Sequence, residues 1–198
     1  IGLFNPANGA FYFRRGPGYL ASSETSFTWA AGGYQPFAGD FDADGVTDVG
    51  LRDPANGTFY FRRGPGFAPS SETTYNWTVG SGFQPVTGDF DADGRADIGL
   101  RNSTTGEFVL RQGPTFGTQT AFTWAPGTNF RPLAVDIGAD GPSEIGLQNP
   151  ANGTFYFRRG PDFAASSELT TNWAPGTNYR PYAGRVDVAN PQVENLAG

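Results

Sequence analysis

Val49-Gly50-Leu51-Arg52-Asp53-Pro54-Ala55-Asn56-Gly57-Thr58-Phe59-Tyr60-Phe61-Arg62-Arg63-Gly64-Pro65 reads as two short β-strands joined by a turn and closed by a breaker. Asn56-Gly57 supplies the turn, because Gly takes positive φ without penalty. Gly64-Pro65 ends the second strand. The phrase recurs. Ile1-Gly2-Leu3, Val49-Gly50-Leu51, Ile98-Gly99-Leu100 and Ile145-Gly146-Leu147 open four copies spaced 48, 49 and 47 residues apart. Their turns carry Asn8-Gly9, Asn56-Gly57, Thr105-Gly106 and Asn152-Gly153. Gly-Pro closes each hairpin, at Gly16-Pro17, Gly64-Pro65, Gly113-Pro114 and Gly160-Pro161.

Working outward, a polar connection leads to a third strand with one Trp per copy: Trp29, Trp77, Trp124 and Trp173. A Gly-rich turn then precedes an aromatic-x-Pro step, Tyr34-Gln35-Pro36, Phe83-Gln84-Pro85, Phe130-Arg131-Pro132 and Tyr179-Arg180-Pro181, and a fourth strand. Apolar residues recur near period two and no window has helical periodicity, so the chain reads as all-β. Four short strands in each of four repeats (1–48, 49–97, 98–144 and 145–198) predict a β-propeller blade per repeat and one domain over 1–198. The chain opens on the strand after an acidic loop and ends, at Tyr182 to Asp187, on the strand before one. A C-terminal strand can therefore complete the first blade. A closed four-blade ring, a segment of a larger ring and half of a two-chain ring all satisfy this pattern.

The 198 residues include 29 Gly, 16 Pro and 30 aromatics but no Cys, Met, His or Lys. Ser-His-Asp triads, Schiff-base lysines, Walker-type loops and His or Cys metal sites are thereby excluded. A net charge of −6 argues against nucleic acid as a partner. No apolar run approaches the roughly 18–20 residues needed to span a bilayer. Ile1 in place of Met is what a processed or excised segment would carry.

Two loops concentrate the acidity. Asp40-Phe41-Asp42-Ala43-Asp44-Gly45-Val46-Thr47-Asp48 and Asp89-Phe90-Asp91-Ala92-Asp93-Gly94-Arg95-Ala96-Asp97 place Asp at positions 1, 3, 5 and 9 and Gly at 6. This is the spacing of an EF-hand loop, and four carboxylates in nine residues repel unless a cation sits among them. The expected ligands are Asp40, Asp42, Asp44 and Asp48, and Asp89, Asp91, Asp93 and Asp97, with the backbone carbonyls of Val46 and Arg95 at position 7. A hard ion with six to eight oxygen ligands suits them, and calcium fits better than magnesium. Two calcium ions would move the net charge from −6 to −2. The third copy, Asp136 to Glu144, keeps Asp136, Asp140 and Glu144 but has Gly138 at position 3, which predicts a weak site. The fourth, Arg185 to Pro191, has lost the set.

The run Gly39-Asp40-Phe41-Asp42-Ala43-Asp44-Gly45-Val46-Thr47-Asp48-Val49-Gly50-Leu51 resembles the FG-GAP (VCBS) repeat of integrin-type β-propellers, and the likeness extends over all four copies. The resemblance implies calcium in a loop between two strands of a blade, an extracellular or cell-surface setting, and a binding or adhesive role. Lectins with similar repeats bind sugars between neighbouring blades. Members commonly have seven blades. A shorter likeness, to hemopexin repeats, rests on Phe61-Arg62-Arg63-Gly64.

No catalytic residue is assigned. A catalytic acid needs a raised pKa, which bound calcium opposes. Glu24, Glu72 and Glu168 recur at one phase, which suits structure better than a unique active site. Trp29, Trp77, Trp124 and Trp173 either stack on sugar rings or pack between blades, and their equal phase favours packing. Arg15, Arg63 and Arg159 either read acidic glycans or pair with loop carboxylates, and pairing is favoured. The expected protein is a non-catalytic, calcium-stabilised module whose partner is a glycan or a protein at the cell surface. Two other readings stand beside it: a self-assembling subunit of an extracellular fibre or surface layer, and a targeting module excised from a larger secreted hydrolase.

Overall fold

The computed structural model describes residues 2–16, 18–127, 129–138 and 141–173. Four antiparallel sheets follow one another along the chain as the blades of a β-propeller, and no α-helix occurs among the described residues. The first blade holds β1 (Gly2–Asn5), β2 (Ala10–Phe13) and β3 (Thr25–Thr28). The second holds β4 (Gln35–Gly39), β5 (Asp48–Arg52), β6 (Thr58–Arg62) and β7 (Thr73–Asn76). The third holds β8 (Phe83–Gly88), β9 (Asp97–Asn102), β10 (Glu107–Arg111) and β11 (Gln119–Thr123). The fourth holds β12 (Arg131–Val135), β13 (Glu144–Asn149), β14 (Thr154–Arg158) and β15 (Leu169–Asn172).

Strand β8 packs against both β4 and β12, so the first strand of each blade lies innermost. Pro36, Pro85 and Pro132 stand in these strands, which are edge strands of their sheets and tolerate a missing N–H. A blade thus begins at the aromatic-x-Pro step. Each sequence repeat supplies three strands to one blade and the inner strand of the next. The stretch expected to complete the first blade, Tyr182 to Asp187, lies outside the described residues.

The core sits between blades. Ile98 and Leu100 of β9 pack with Phe37, Phe59 and Phe61 of the second blade, and Ile145 and Leu147 of β13 pack with Val86, Phe108 and Leu110 of the third. Strands β5, β9 and β13 are buried almost throughout, which period-two patterning alone does not require: β9 and β13 pack on the preceding blade, and side chains of the same blade crowd the central glycines Gly50, Gly99 and Gly146. Phe67, Phe116 and Phe163 adopt φ of 48°, 54° and 49°, a left-handed backbone that disfavours side chains. Each ring is lodged on the preceding blade. Phe67 lies 5.1 Å from Phe13, Phe116 5.0 Å from Tyr75 and Phe163 5.0 Å from Phe122. Leu3, at the phase of the buried Leu51, Leu100 and Leu147, is 73% exposed, and Trp173 is 75% exposed.

Fully buried arginines staple the strands. Arg52 donates to Gln35 Oε1 at 2.6 Å and to the carbonyls of Thr78 and Gly80 at 2.8 and 3.2 Å. Arg101 repeats this with Gln84 Oε1 at 3.2 Å and the carbonyls of Ala125 and Gly127 at 2.7 and 3.1 Å. Register sets Gln35 opposite Arg52, Gln84 opposite Arg101 and, with the two residues exchanged, Arg131 opposite Gln148. One guanidinium and one amide therefore share the same cross-strand position in three blades. Arg101→Gln should lower unfolding free energy by about 2 kcal/mol, since buried acceptors lose a charged donor. Adding Gln84→Arg should recover at least half of the loss in a denaturant-monitored double-mutant cycle.

Candidate functional site

Both acidic loops join the inner strand of a blade to its second strand: Asp40 to Asp48 between β4 and β5, and Asp89 to Asp97 between β8 and β9. Carboxylate oxygens of Asp40, Asp42 and Asp48 lie within 4.8 Å of one another, as do those of Asp89, Asp91 and Asp97. Positions 1, 3 and 9 are thus gathered. At position 5, Asp44 Oδ1 accepts the Val46 N–H and Asp93 Oδ1 the Arg95 N–H, both at 2.8 Å, so these carboxylates serve the turn and stand outside the gathered set.

Position 1 ties the loop down. Asp40 accepts the N–H groups of Asp44 and Gly45 at 3.1 and 2.8 Å, and Asp89 those of Asp93 and Gly94 at 3.1 and 2.9 Å. Position 9 ties it to the blade. Asp48 accepts from Phe41 at 3.0 Å and from Gly64 at 2.8 Å, and Asp97 from Phe90 at 2.9 Å and Gly113 at 2.8 Å. Each carboxylate oxygen keeps a further lone pair for a cation. Two observations fit a hard divalent ion to the first loop. Asp42 Oδ1 is buried without a hydrogen-bond partner, and the gathered donors are all carboxylate oxygens.

Successive loops are also joined to each other. The Ala96 N–H donates to the Asp40 carbonyl and the Ser143 N–H to the Asp89 carbonyl, both at 2.6 Å. Glycine at the end of the inner strand permits this approach, since a Cβ on Gly39 would stand 2.5 Å from that of Ala96. In the third loop Glu144 keeps the position-9 role, accepting the Ile137 N–H at 2.8 Å. Its other oxygen faces Arg159 Nε at 3.5 Å, and Asp140 lies outside the described residues.

The arginine after β6 differs by copy. Arg63 Nε lies 3.2 Å from Asp42 Oδ2, whereas the third blade has Gln112 at that phase, and among the described residues Asp91 makes no ion pair. Arg15 is exposed, with its N–H on Ser23 Oγ at 3.2 Å. The preceding arginines are structural. Arg62, Arg111 and Arg158 lie 4.3, 4.9 and 4.6 Å from the rings of Trp29, Trp77 and Trp124 on the preceding blade. Arg14, Arg62 and Arg158 pair with Glu24, Glu72 and Glu168. Three of the tryptophans thus stand at blade junctions; Trp173 is exposed.

A cleft of about 390 Å³ adjoins the first loop, between the second and third blades; Asp42, Asp48, Arg63, Tyr75, Arg95 and Phe116 are among its walls. Sequence reading gave Arg95 only a backbone role and passed over Arg52 and Arg101. The exchange of Gln and Arg between copies was the available signal for that buried pair. Comparison with protein-family models, curated proteins and solved structures gives no match.

Burial raises the Asp48 and Asp91 carboxyls, and pushes Asp97 up to about 6 against the opposing N–H groups of Gly113 and Phe90, with Asp91 and Asp89 adding repulsion. The folded chain then binds more protons than the unfolded one between the ordinary value of about 3.9 and about 6, so stability falls as pH rises through that window. No His is present to titrate there. In chelator, Tm should rise from pH 7 to 5.5, and Asp97→Asn should flatten the slope. A metal held by these carboxylates would abolish the rise, because protons compete with it.

Proposed function

We propose that the chain is a calcium-stabilised, non-catalytic binding module of the FG-GAP (VCBS) propeller type, acting outside the cell or on its surface. The observation that carries this reading is the pair of carboxylate clusters, each gathering positions 1, 3 and 9 of a repeated loop. Asp40, Asp42 and Asp48 would hold one ion, and Asp89, Asp91 and Asp97 the other. A bound ion neutralises charges that the fold forces together. It also stiffens loops that are hydrogen-bonded to the next blade, and so sets the angle between blades. Ligand then meets a preorganised surface at the blade junctions, where a glycan or a protein of the cell surface is the partner. Repetition of the acidic residues by blade supports binding over catalysis, which needs a unique constellation.

A second reading, a subunit of an extracellular assembly, draws on the exposed Leu3 and Trp173. Polymers seen by electron microscopy would favour it, and a glycan array in calcium and in chelator tests the module itself.

Calcium at 100 times its Kd stabilises a fold by about 2.7 kcal/mol per site. Asp42→Ala and Asp91→Ala should each lower Tm in calcium and change little in chelator. Asp91→Ala should cost the larger share, because Arg63 competes with metal only at the first loop. Equal losses in both buffers would refute the metal assignment.

A further inference from the structure

We propose that the cleft between the second and third blades binds a carboxylate-bearing saccharide of the uronate class on the guanidiniums of Arg63 and Arg95. This rests on the binding-module reading and names its ligand.

The repeats themselves single out this cleft. Arg63 corresponds to Arg15, Gln112 and Arg159 in the other copies, and Arg95 to Val46 and Pro142 in the first and third loops. By that correspondence the junction of the first and second blades offers Arg15 with Val46, and that of the third and fourth offers Gln112 with Pro142. The junction between the second and third blades pairs Arg63 with Arg95 at these two positions, and both residues line one cavity. Arg95 makes no ion pair among the described residues, so its charge is available to a ligand. Arg63 is 59% exposed and held at its inner side by Asp42. Guanidinium forks match carboxylates in pairs of hydrogen bonds.

Size and lining turn a generic anion site into a saccharide site. A volume of about 390 Å³ lies within the roughly 300–1,000 Å³ of small-molecule pockets and exceeds what a lone carboxylate fills. Thr73, Thr74 and Thr115 are among the residues that line it, with Phe116. Metal and ligand are coupled through Asp42. An ion on Asp40, Asp42 and Asp48 takes the charge that holds Arg63 and turns the guanidinium toward the cleft. Calcium therefore strengthens uronate binding, and uronate strengthens calcium binding by the same factor.

Calorimetric titration of the intact chain with D-glucuronate, D-glucose and acetate, in calcium and in chelator, tests this. Glucose differs from glucuronate only in bearing CH2OH for the carboxylate. Glucuronate should bind in calcium, with glucose and acetate at least about tenfold weaker. Arg95→Val, which installs the residue of the first loop, and Arg63→Gln, which installs that of the third blade, should each weaken glucuronate by about tenfold while far-ultraviolet circular dichroism stays unchanged. Equal binding of glucose, equal binding of acetate, or an unaffected Arg95→Val would overturn the proposal. Calcium heat without glucuronate heat would refute this ligand and leave the calcium module standing. Glucuronate binding that is lost in Arg95→Val but equal in calcium and chelator would support the cleft and refute its coupling to the metal.

Discussion

A single blade is too thin a sheet to bury its own apolar side chains. Burial of the second strand between neighbouring blades is the constraint on which the remaining structure depends. Where Ile98 and Leu100 enter the aromatic face of the second blade, and Ile145 and Leu147 that of the third, the side chains are almost wholly removed from water. Leu3, of the same type and phase, stays exposed where no such neighbour lies on it among the described residues. The hydrophobic term therefore belongs to pairs of blades. Phe67, Phe116 and Phe163 accept an unfavourable left-handed backbone because the ring gains a seat on the preceding blade.

Polar groups follow the same logic. A buried charge needs partners, and Arg52 and Arg101 find theirs in an amide and in carbonyls of the loop that leads to the next blade. The arginine at the end of the third strand crosses the junction instead and lies on the preceding Trp. Three sets of arginine thus do three different things. One staples strands, one locks blades, and the third stands at the acidic loops. In the last set the chemistry varies from copy to copy: Arg63 on Asp42, a neutral Gln112 beside the second loop, and Arg159 on Glu144.

The acidic loops lie where both tendencies meet. Backbone N–H groups converge on positions 1 and 9 and fix the loop shape, while the position-3 carboxylate lies within 4.8 Å of both. The fold brings like charges together and raises Asp97 by burial. Because Ala96 and Ser143 bond to the preceding loop, a change in one loop reaches the next blade directly.

Much of this was legible along the chain, for local reasons. Four phrases at nearly equal spacing, Asn-Gly turns and Gly-Pro breakers determine strands and hairpins by backbone preference alone, and the positions of Asp40, Asp42 and Asp48 determine that carboxylates share a loop. Tertiary structure decided what depends on the neighbouring blade. It turned Asp44 and Asp93 to the turn rather than the cluster, shifted the blade boundary to the aromatic-x-Pro step, and carried the Arg95 side chain from its own loop to a cleft shared with Arg63. A residue's partners along a strand follow from its neighbours in sequence. Its partners across a blade junction follow from packing between segments some 48 residues apart, which no local preference encodes.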